Sequence, residues 1–334
     1  MVSNVLVSGV KGFLRIALRL YFREIRHASH QIDQHRPLLF LANHQNALID
    51  ALLIAAFNRR KTYFLVRSDV FKRKRVARIL RYFGLRPIFR IRDGKHLVSQ
   101  NEPILNFFAE VLVKGDCVLL FPEGNHSLKR RVRPLRKGFI AIADKAFALD
   151  NNLDLGLVTV GLSYQNATCF RDRVHIHYAD AIDATSLFAE GSDSDKFRGK
   201  KERDKEILDF IHQRLSICTV HITSEHYDAI ERQLIREKAD FLQIQAVNAR
   251  IAELTESISS DRSEECQAQT APCEGSRLKL VINILFWPLV FIWRRRIQPL
   301  IKEDEFVSTF RFAYFTFVLL AGLLLLALFL ICLL

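Results

Sequence analysis

The sequence predicts an α/β domain, a mixed and largely parallel sheet flanked by helices, followed by a helical extension and C-terminal membrane helices. Three observations predict it. From Pro37 to Tyr178 short apolar runs alternate with amphipathic ones, the pattern of strand–helix–strand units. Two apolar runs stop abruptly at polar residues of catalytic type, Leu39–Asp50 (LFLANHQNALID) and Val118–Ser127 (VLLFPEGNHS). Ligands bind just past the carboxyl ends of parallel strands, so both stretches fall where a site belongs. The last 22 residues, Ala313–Leu334, carry no charge and are long enough to cross a hydrocarbon core.

Taken in order, Val5–Arg26 reads as an amphipathic helix, with Lys11, Arg15, Arg19 and Arg23 recurring every four residues as one stripe. Two readings stay open: a surface helix packed on the domain, or a helix lying in the headgroup layer with its basic stripe toward lipid phosphates. Strands are expected at Pro37–Ala42, Thr62–Val66, Leu85–Ile91, Cys117–Phe121, Leu157–Tyr164 and Arg173–Tyr178. Helices are expected at Ala47–Phe57, Arg67–Phe83, Glu102–Val113 and Arg136–Leu149. Phe197–Glu256 is charged, periodic and poor in Gly and Pro, which gives two or three helices; Ser257–Ser276 reads as a linker. The expected divisions are an N-terminal helix (1–27), the α/β domain (28–195), a helical extension (196–256), a linker (257–277) and membrane-anchoring segments (278–334).

Leu280–Trp293 is apolar, but it is short and contains Pro288, so it suits an interfacial or re-entrant segment. Arg294–Arg296 follow it, with Trp287 and Trp293 close by, the composition of a membrane–water boundary. If only the last segment spans, the arginines and the folded domain share the cytoplasmic face, as the positive-inside rule prefers. No cleavable signal peptide is expected, because basic residues interrupt the apolar N-terminus and no small-residue cleavage site follows.

A net charge of +13 across 334 residues favours phosphates or an anionic membrane. Twenty-six Phe against seven Tyr and two Trp suit a lipid setting better than an RNA-binding one, and no nucleic-acid-binding motif is present. The six cysteines show no close paired spacing, so neither a zinc nor a disulfide framework is expected, and a reducing compartment is the simpler setting.

A histidine past a strand end with a carboxylate a few residues on can act as a general base, the carboxylate fixing its tautomer. His44 and Asp50 are such a pair. On an unbroken helix six residues would turn them about 120° apart, so His44 must lie in the loop, with a helix starting later at an Asn46 cap. A capping histidine and a dipole-favouring aspartate remain the alternative on these two residues alone. In the second stretch, Glu123 and Gly124 form a tight turn at a strand end, where backbone N–H groups can approach an anion. Lys129, Arg130, Arg131, Arg133, Arg136 and Lys137 follow, suited to a phosphorylated substrate. Arg59–Lys95 holds fourteen Lys/Arg against Asp69 and Asp93; of these, Arg90 in PIFRIRD is the one placed in a pocket.

Over Leu38–Tyr164 these stretches resemble, in order, the four motif blocks of the glycerolipid acyltransferase superfamily: His44…Asp50, Pro87–Asp93, FPEG and Val160–Tyr164 (VGLSY), with Pro134–Gly138 (PLRKG) similar to the basic stretch after the third. The resemblance implies O-acyl transfer in phospholipid synthesis. His44 and Asp50 would be catalytic, and Asn43, Asn46, Arg90, Glu123, Gly124, His126 and Lys137 would bind substrate. The donor would be acyl-CoA or acyl-carrier protein as a co-substrate, with no bound cofactor, no metal and no Ser or Cys nucleophile. The acceptor would be a glycerol phosphate, and the partner surface a lipid bilayer. Most members have four residues between the His and the Asp. This chain has five, as yeast-type glycerol-3-phosphate and dihydroxyacetone-phosphate acyltransferases do, which implies acylation of glycerol-3-phosphate or dihydroxyacetone phosphate. A 1-acylglycerol-3-phosphate acyltransferase and an inactive membrane adaptor of the same fold are the alternatives. The third block lacks the arginine many members carry after the glycine; His126 and the later arginines are its expected substitutes.

Overall fold

The apolar runs become the middle of one sheet in the computed structural model, which describes residues 2–28, 32–89, 99–188, 199–260 and 286–333. Its strands are β1 (Glu24–His27), β2 (Leu38–Ala42), β3 (Thr62–Arg67), β4 (Leu85–Ile88), β5 (Cys117–Leu120), β6 (Gly156–Tyr164), β7 (Arg173–Tyr178) and β8 (Ile182–Asp183). They lie in the order β1-β7-β6-β2-β5-β3-β4, with β8 beside β6. The pairs of β6 with β7 and with β8 are antiparallel and the others are parallel. β2, β5 and β6 are buried at every residue, as strands covered on both faces must be. β7 alternates half-buried and buried.

The helices are α1 (Val2–Tyr21), α2 (Ala47–Phe57), α3 (Lys74–Tyr82), α4 (Glu102–Val113), α5 (Gly138–Leu149), α6 (Thr185–Phe188), α7 (Lys200–Cys218), α8 (Tyr227–Arg236), α9 (Ile244–Ser260), α10 (Trp287–Ile292) and α11 (Val307–Leu333). Strand alternation sorts the core. Leu38, Phe40, Val158, Val160, Leu162 and Tyr164 point to the face covered by α1, α2 and the base of α11. Leu39, Leu41, Val118, Leu120 and Leu157 point to the face covered by α4, α5 and α7. A third cluster joins the segment after α7 to α8 and α9. The last turn of α7 lies directly on β6, because a Cβ at Gly161 would stand 1.7 Å from the Cys218 carbonyl oxygen.

Several elements depart from the expectation. β1 falls inside the segment assigned to the N-terminal helix and pairs with β7. The run expected as one helix, Arg67–Phe83, splits into a 3-10 turn (Ser68–Phe71) and α3, with Arg73 extended between them. The basic stripe of α1 is turned inward. Lys11 donates to the Asn58 and Arg60 carbonyls, Arg15 Nε to the Ala56 carbonyl, and Arg19 lies over the Phe57 ring. Cations at the carbonyl end of α2 complement its dipole, which leaves Val5, Leu6, Ile16 and Leu20 exposed in their place. Lys11 and Arg15 are thus half-buried against the domain, while Arg19 and Arg23 stay exposed.

Among the described residues one helix, α11, is long and apolar enough to cross a membrane. It starts six residues before the uncharged run, and its first turns dock on the domain through buried Val307, Ser308 and Phe312. The described part of the preceding apolar segment is the short α10, with Phe286, Trp287, Phe291 and Ile292 exposed. The linker from residue 261 onward, Cys266 and Cys273 lie outside the described residues. Cys169 is disulfide-bonded, which the cysteine spacing did not anticipate.

Candidate active site

β2 ends at Ala42 and α2 begins at Ala47, so four residues turn the chain. The turn is tight: Ala47 takes φ 41°. Asn43 anchors it. Its side-chain oxygen accepts the Leu162 N–H (2.7 Å) and its amide donates to the Leu162 carbonyl (3.1 Å), as another strand residue would. His44 is thereby held off the helix and folds back over it. His44 Nδ1 stands 2.8 Å from Asp50 Oδ2.

Asp50, on the first turn of α2, is fully buried. Its Oδ2 also accepts the Asn46 N–H at 2.7 Å, and its Oδ1 accepts the Tyr164 hydroxyl at 2.5 Å. Three donors on one carboxylate compensate its desolvation. A carboxylate so placed can only accept, so Nδ1 carries the imidazole proton and Nε2 keeps its lone pair. The ring stacks on Phe121 (centroids 4.0 Å, planes 15° apart) and its side chain is 16% exposed. The arrangement can take a proton from a docked hydroxyl and hold the resulting imidazolium.

Glu123 sits beyond β5, nearly fully buried, and is clamped by Arg133, whose Nε donates at 3.0 Å and whose second nitrogen also contacts the carboxylate. Burial still pushes the Glu123 carboxyl above the usual carboxylate range, against the pull of Arg133. Arg133 also donates to the Asn125 side chain and, at 3.5 Å, to the His44 carbonyl; the Ser127 N–H reaches the same carbonyl at 3.1 Å. The two motif loops are thus tied together through the backbone of His44. Gly124 takes φ 75° and its N–H closes the turn onto Phe121.

His126 lies edge-on to His44 (5.6 Å) and to Phe306 (4.8 Å), with Glu303 3.6 Å from its Nε2. Burial and then the neighbouring His44 lower its pKa. The segment that leads into α11 therefore reaches the wall of the site. A second link runs through Ala167, whose carbonyl accepts both Asn46 Nδ2 (2.9 Å) and Ser308 Oγ (2.5 Å).

The structure thus brings His44, Asp50, Asn46, Glu123, Gly124 and His126 together. Asn43 is spent on β6, and Lys137 turns to Asp204 of α7 at 3.1 Å. Arg90 and the rest of its motif through Asp93 lie outside the described residues. Sequence reasoning did not single out Tyr164 as the second partner of Asp50. β6 overruns β2 by four residues, since Ala42 faces Val160, and this overhang puts Tyr164 on the α2 side; the signal needed was the strand order. Arg133 was one of six basic residues after the motif. Arg130, a neighbour of the same type, serves the core instead, donating to the Tyr164 and Gln165 carbonyls and lying 3.6 Å over Phe241.

A histidine–carboxylate dyad past the carboxyl end of a central parallel strand is a geometry suited to a general base on an α/β domain. Residues 24–163 of the chain match the family model described as Acyltransferase. It is similar to an uncharacterized acyltransferase of Schizosaccharomyces pombe, 28% identical over 111 residues, or 33% of this chain and 16% of the relative's length. It is also similar to the crystal structure of the 1-acyl-sn-glycerophosphate (LPA) acyltransferase, PlsC, from Thermotoga maritima, with 19% identity, 64% of this chain and 80% of that one covered, and a TM-score of 0.43.

Proposed function

We propose that the protein is a membrane-bound O-acyltransferase that moves a fatty acyl group from a thioester to a hydroxyl of glycerol-3-phosphate or dihydroxyacetone phosphate. The observation that carries this reading is the His44–Asp50 dyad with Nδ1 committed to the carboxylate. His44 Nε2 removes the hydroxyl proton as the oxygen attacks the thioester carbonyl. The tetrahedral intermediate collapses to expel the thiolate of coenzyme A or acyl-carrier protein, which takes the proton back from the imidazolium. The step needs no acyl-enzyme, since the alcohol attacks directly. The preference for the first hydroxyl is supported by the five residues between His44 and Asp50. In this reading Arg90 holds the acceptor phosphate, and α11 anchors the domain at the cytoplasmic face beside Arg294–Arg296.

One observation favours a second acceptor, the 1-acylated glycerol phosphate. His126 touches Phe306 just before α11, so a lipid already resident in the bilayer has a short path to His44. The test is reconstituted full chain with labelled acyl-CoA and, in separate reactions, glycerol-3-phosphate, dihydroxyacetone phosphate and the 1-acyl form. The expected result is consumption of one of the first two, abolished by His44→Ala. Turnover of the 1-acyl form alone establishes the second reading. No product above a protein-free blank from either His44→Ala or unsubstituted protein leaves an inactive adaptor, and equal product above it removes His44 from the chemistry. Arg90→Ala should raise the KM of the acceptor more than that of the donor; the reverse would reassign that arginine.

A further inference from the structure

We propose that α3 is a docking helix for the anionic headgroups of the leaflet that α11 enters; this rests on the membrane-bound reading above. α3 buries one side chain, Ala77. Val76, Ile79 and Tyr82 are exposed on it, and Val70 just before it. Lys72, Arg73, Lys74, Arg75, Arg78 and Arg81 are exposed among them. No carboxylate lies between Val70 and Tyr82, and among the described residues none of these six cations is in an ion pair. Like charges three and four apart repel one another along a helix, so α3 is at its least favourable in plain water and gains from dense counter-anions. Cations mixed with exposed aliphatic and aromatic side chains are the composition of a helix that lies in a bilayer interface.

Topology puts α3 on the membrane side. The steps from β2 to β3 and from β3 to β4 cross the parallel sheet in the same direction. Right-handed crossovers then place α2 and α3 on one face. That face also carries α1 and the base of α11, and there α1 presents its exposed Val5, Leu6, Ile16 and Leu20. Charge complementarity alone would also admit an acidic acyl carrier protein. The shared face with α1 and α11 favours the bilayer, because a leaflet reached by α11 extends over the whole of that side.

The test uses the full chain carrying Ile79→Cys, labelled with an environment-sensitive fluorophore and reconstituted into phosphatidylcholine vesicles with or without phosphatidylglycerol. Lipids spin-labelled near the headgroup serve as quenchers. Unsubstituted chain supplies the background from native cysteines, and Phe317→Cys on the exposed side of α11 reports insertion. The expected result is quenching at position 79 in the anionic vesicles, and its loss in phosphatidylcholine alone, in high salt and in a Lys74→Glu/Arg75→Glu/Arg78→Glu background, with position 317 quenched throughout. An unquenched 79 beside a quenched 317 overturns the proposal and leaves the membrane reading standing. If that label then responds to added acyl carrier protein, the helix is a protein-docking site instead. An unquenched 317 overturns the membrane reading and this proposal with it.

Discussion

Asp50→Asn is the substitution that bears most directly on the dyad. In the native site one oxygen of Asp50 serves two donors, His44 Nδ1 at 2.8 Å and the Asn46 N–H at 2.7 Å, while the other serves the Tyr164 hydroxyl at 2.5 Å. Asparagine has one acceptor oxygen. If it faces Tyr164, the NH2 group meets the Asn46 N–H and forces His44 to turn Nδ1 into an acceptor; the proton then sits on Nε2 and the base is lost. If the oxygen faces His44, the tautomer survives but the buried Tyr164 hydroxyl loses its acceptor. Either way the imidazolium loses its counter-charge. Charge centres about 4 Å apart at an effective dielectric near 20 interact by ~4 kcal/mol, or ~1000-fold in rate. The expected outcome is a kcat/KM for acyl transfer ~1000-fold lower, with an unchanged fold by circular dichroism. In a His44→Ala background the further substitution should cost little, because the two residues act as a unit. An Asp50→Asn enzyme within tenfold of the native rate, or effects of His44→Ala and Asp50→Asn that multiply, would refute the dyad as the proton-transfer apparatus.

Three more expectations concern the site and the packing around it. Tyr164→Phe removes one hydrogen bond to a buried charge, a loss of about 1.5–3 kcal/mol when fully expressed; kcat should fall ~10-fold or more with both KM values nearly unchanged, and a native kcat would mean the hydroxyl only fills space. Arg133→Ala leaves the buried Glu123 carboxylate without its cation, which should cost ~3 kcal/mol in urea unfolding, the low end for a buried pair because Arg133 keeps some exposure. Adding Glu123→Gln should restore much of that, and additive losses would show that the pair is not coupled. His221 accepts the Val132 N–H at 2.9 Å through Nδ1, and burial lowers its pKa from 6.5 to about 4. The unfolded chain thus binds the proton first, so this group's contribution to stability is intact above pH 6.5 and is lost as pH falls toward 4. Unfolding midpoints should drop across that window, less steeply in His221→Gln; parallel slopes would remove His221 from the account.

Much of the sheet was legible because its central strands are uninterrupted apolar runs ended by polar residues, as at Leu38–Ala42 and Cys117–Leu120. Elements held by tertiary pairing were not. β1 (EIRH) has no apolar run and is a strand because β7 offers it an edge. At the site, local spacing implied that His44 lies in the loop, since only then can it meet Asp50. Tyr164 and Arg133 reach the same pocket from 114 and 10 residues away, and no local pattern distinguishes Arg133 from Arg130, one clamping Glu123 and the other filling the core. The stripe of α1 was legible as a stripe but not in its direction, because the carbonyls that draw it inward belong to α2.

That inward turn bears on how the site is placed relative to α11. With Lys11, Arg15 and Arg19 engaged at the end of α2, α1 brings apolar side chains to its outer surface, on the side where α11 leaves the domain. The base of α11 is fixed to the dyad's own supports: Ser308 and Asn46 share the Ala167 carbonyl, and Asn46 in turn donates to Asp50. His44 is thereby held at a set distance from the point where α11 begins. On the proposed chemistry this placement has a purpose, because a soluble acceptor becomes an amphiphile at the moment of transfer. Burying each methylene of the new chain in the bilayer stabilises the product by about 0.8 kcal/mol. A base fixed beside the anchor lets that gain assist release, whereas a base facing bulk water would strand the product on the enzyme.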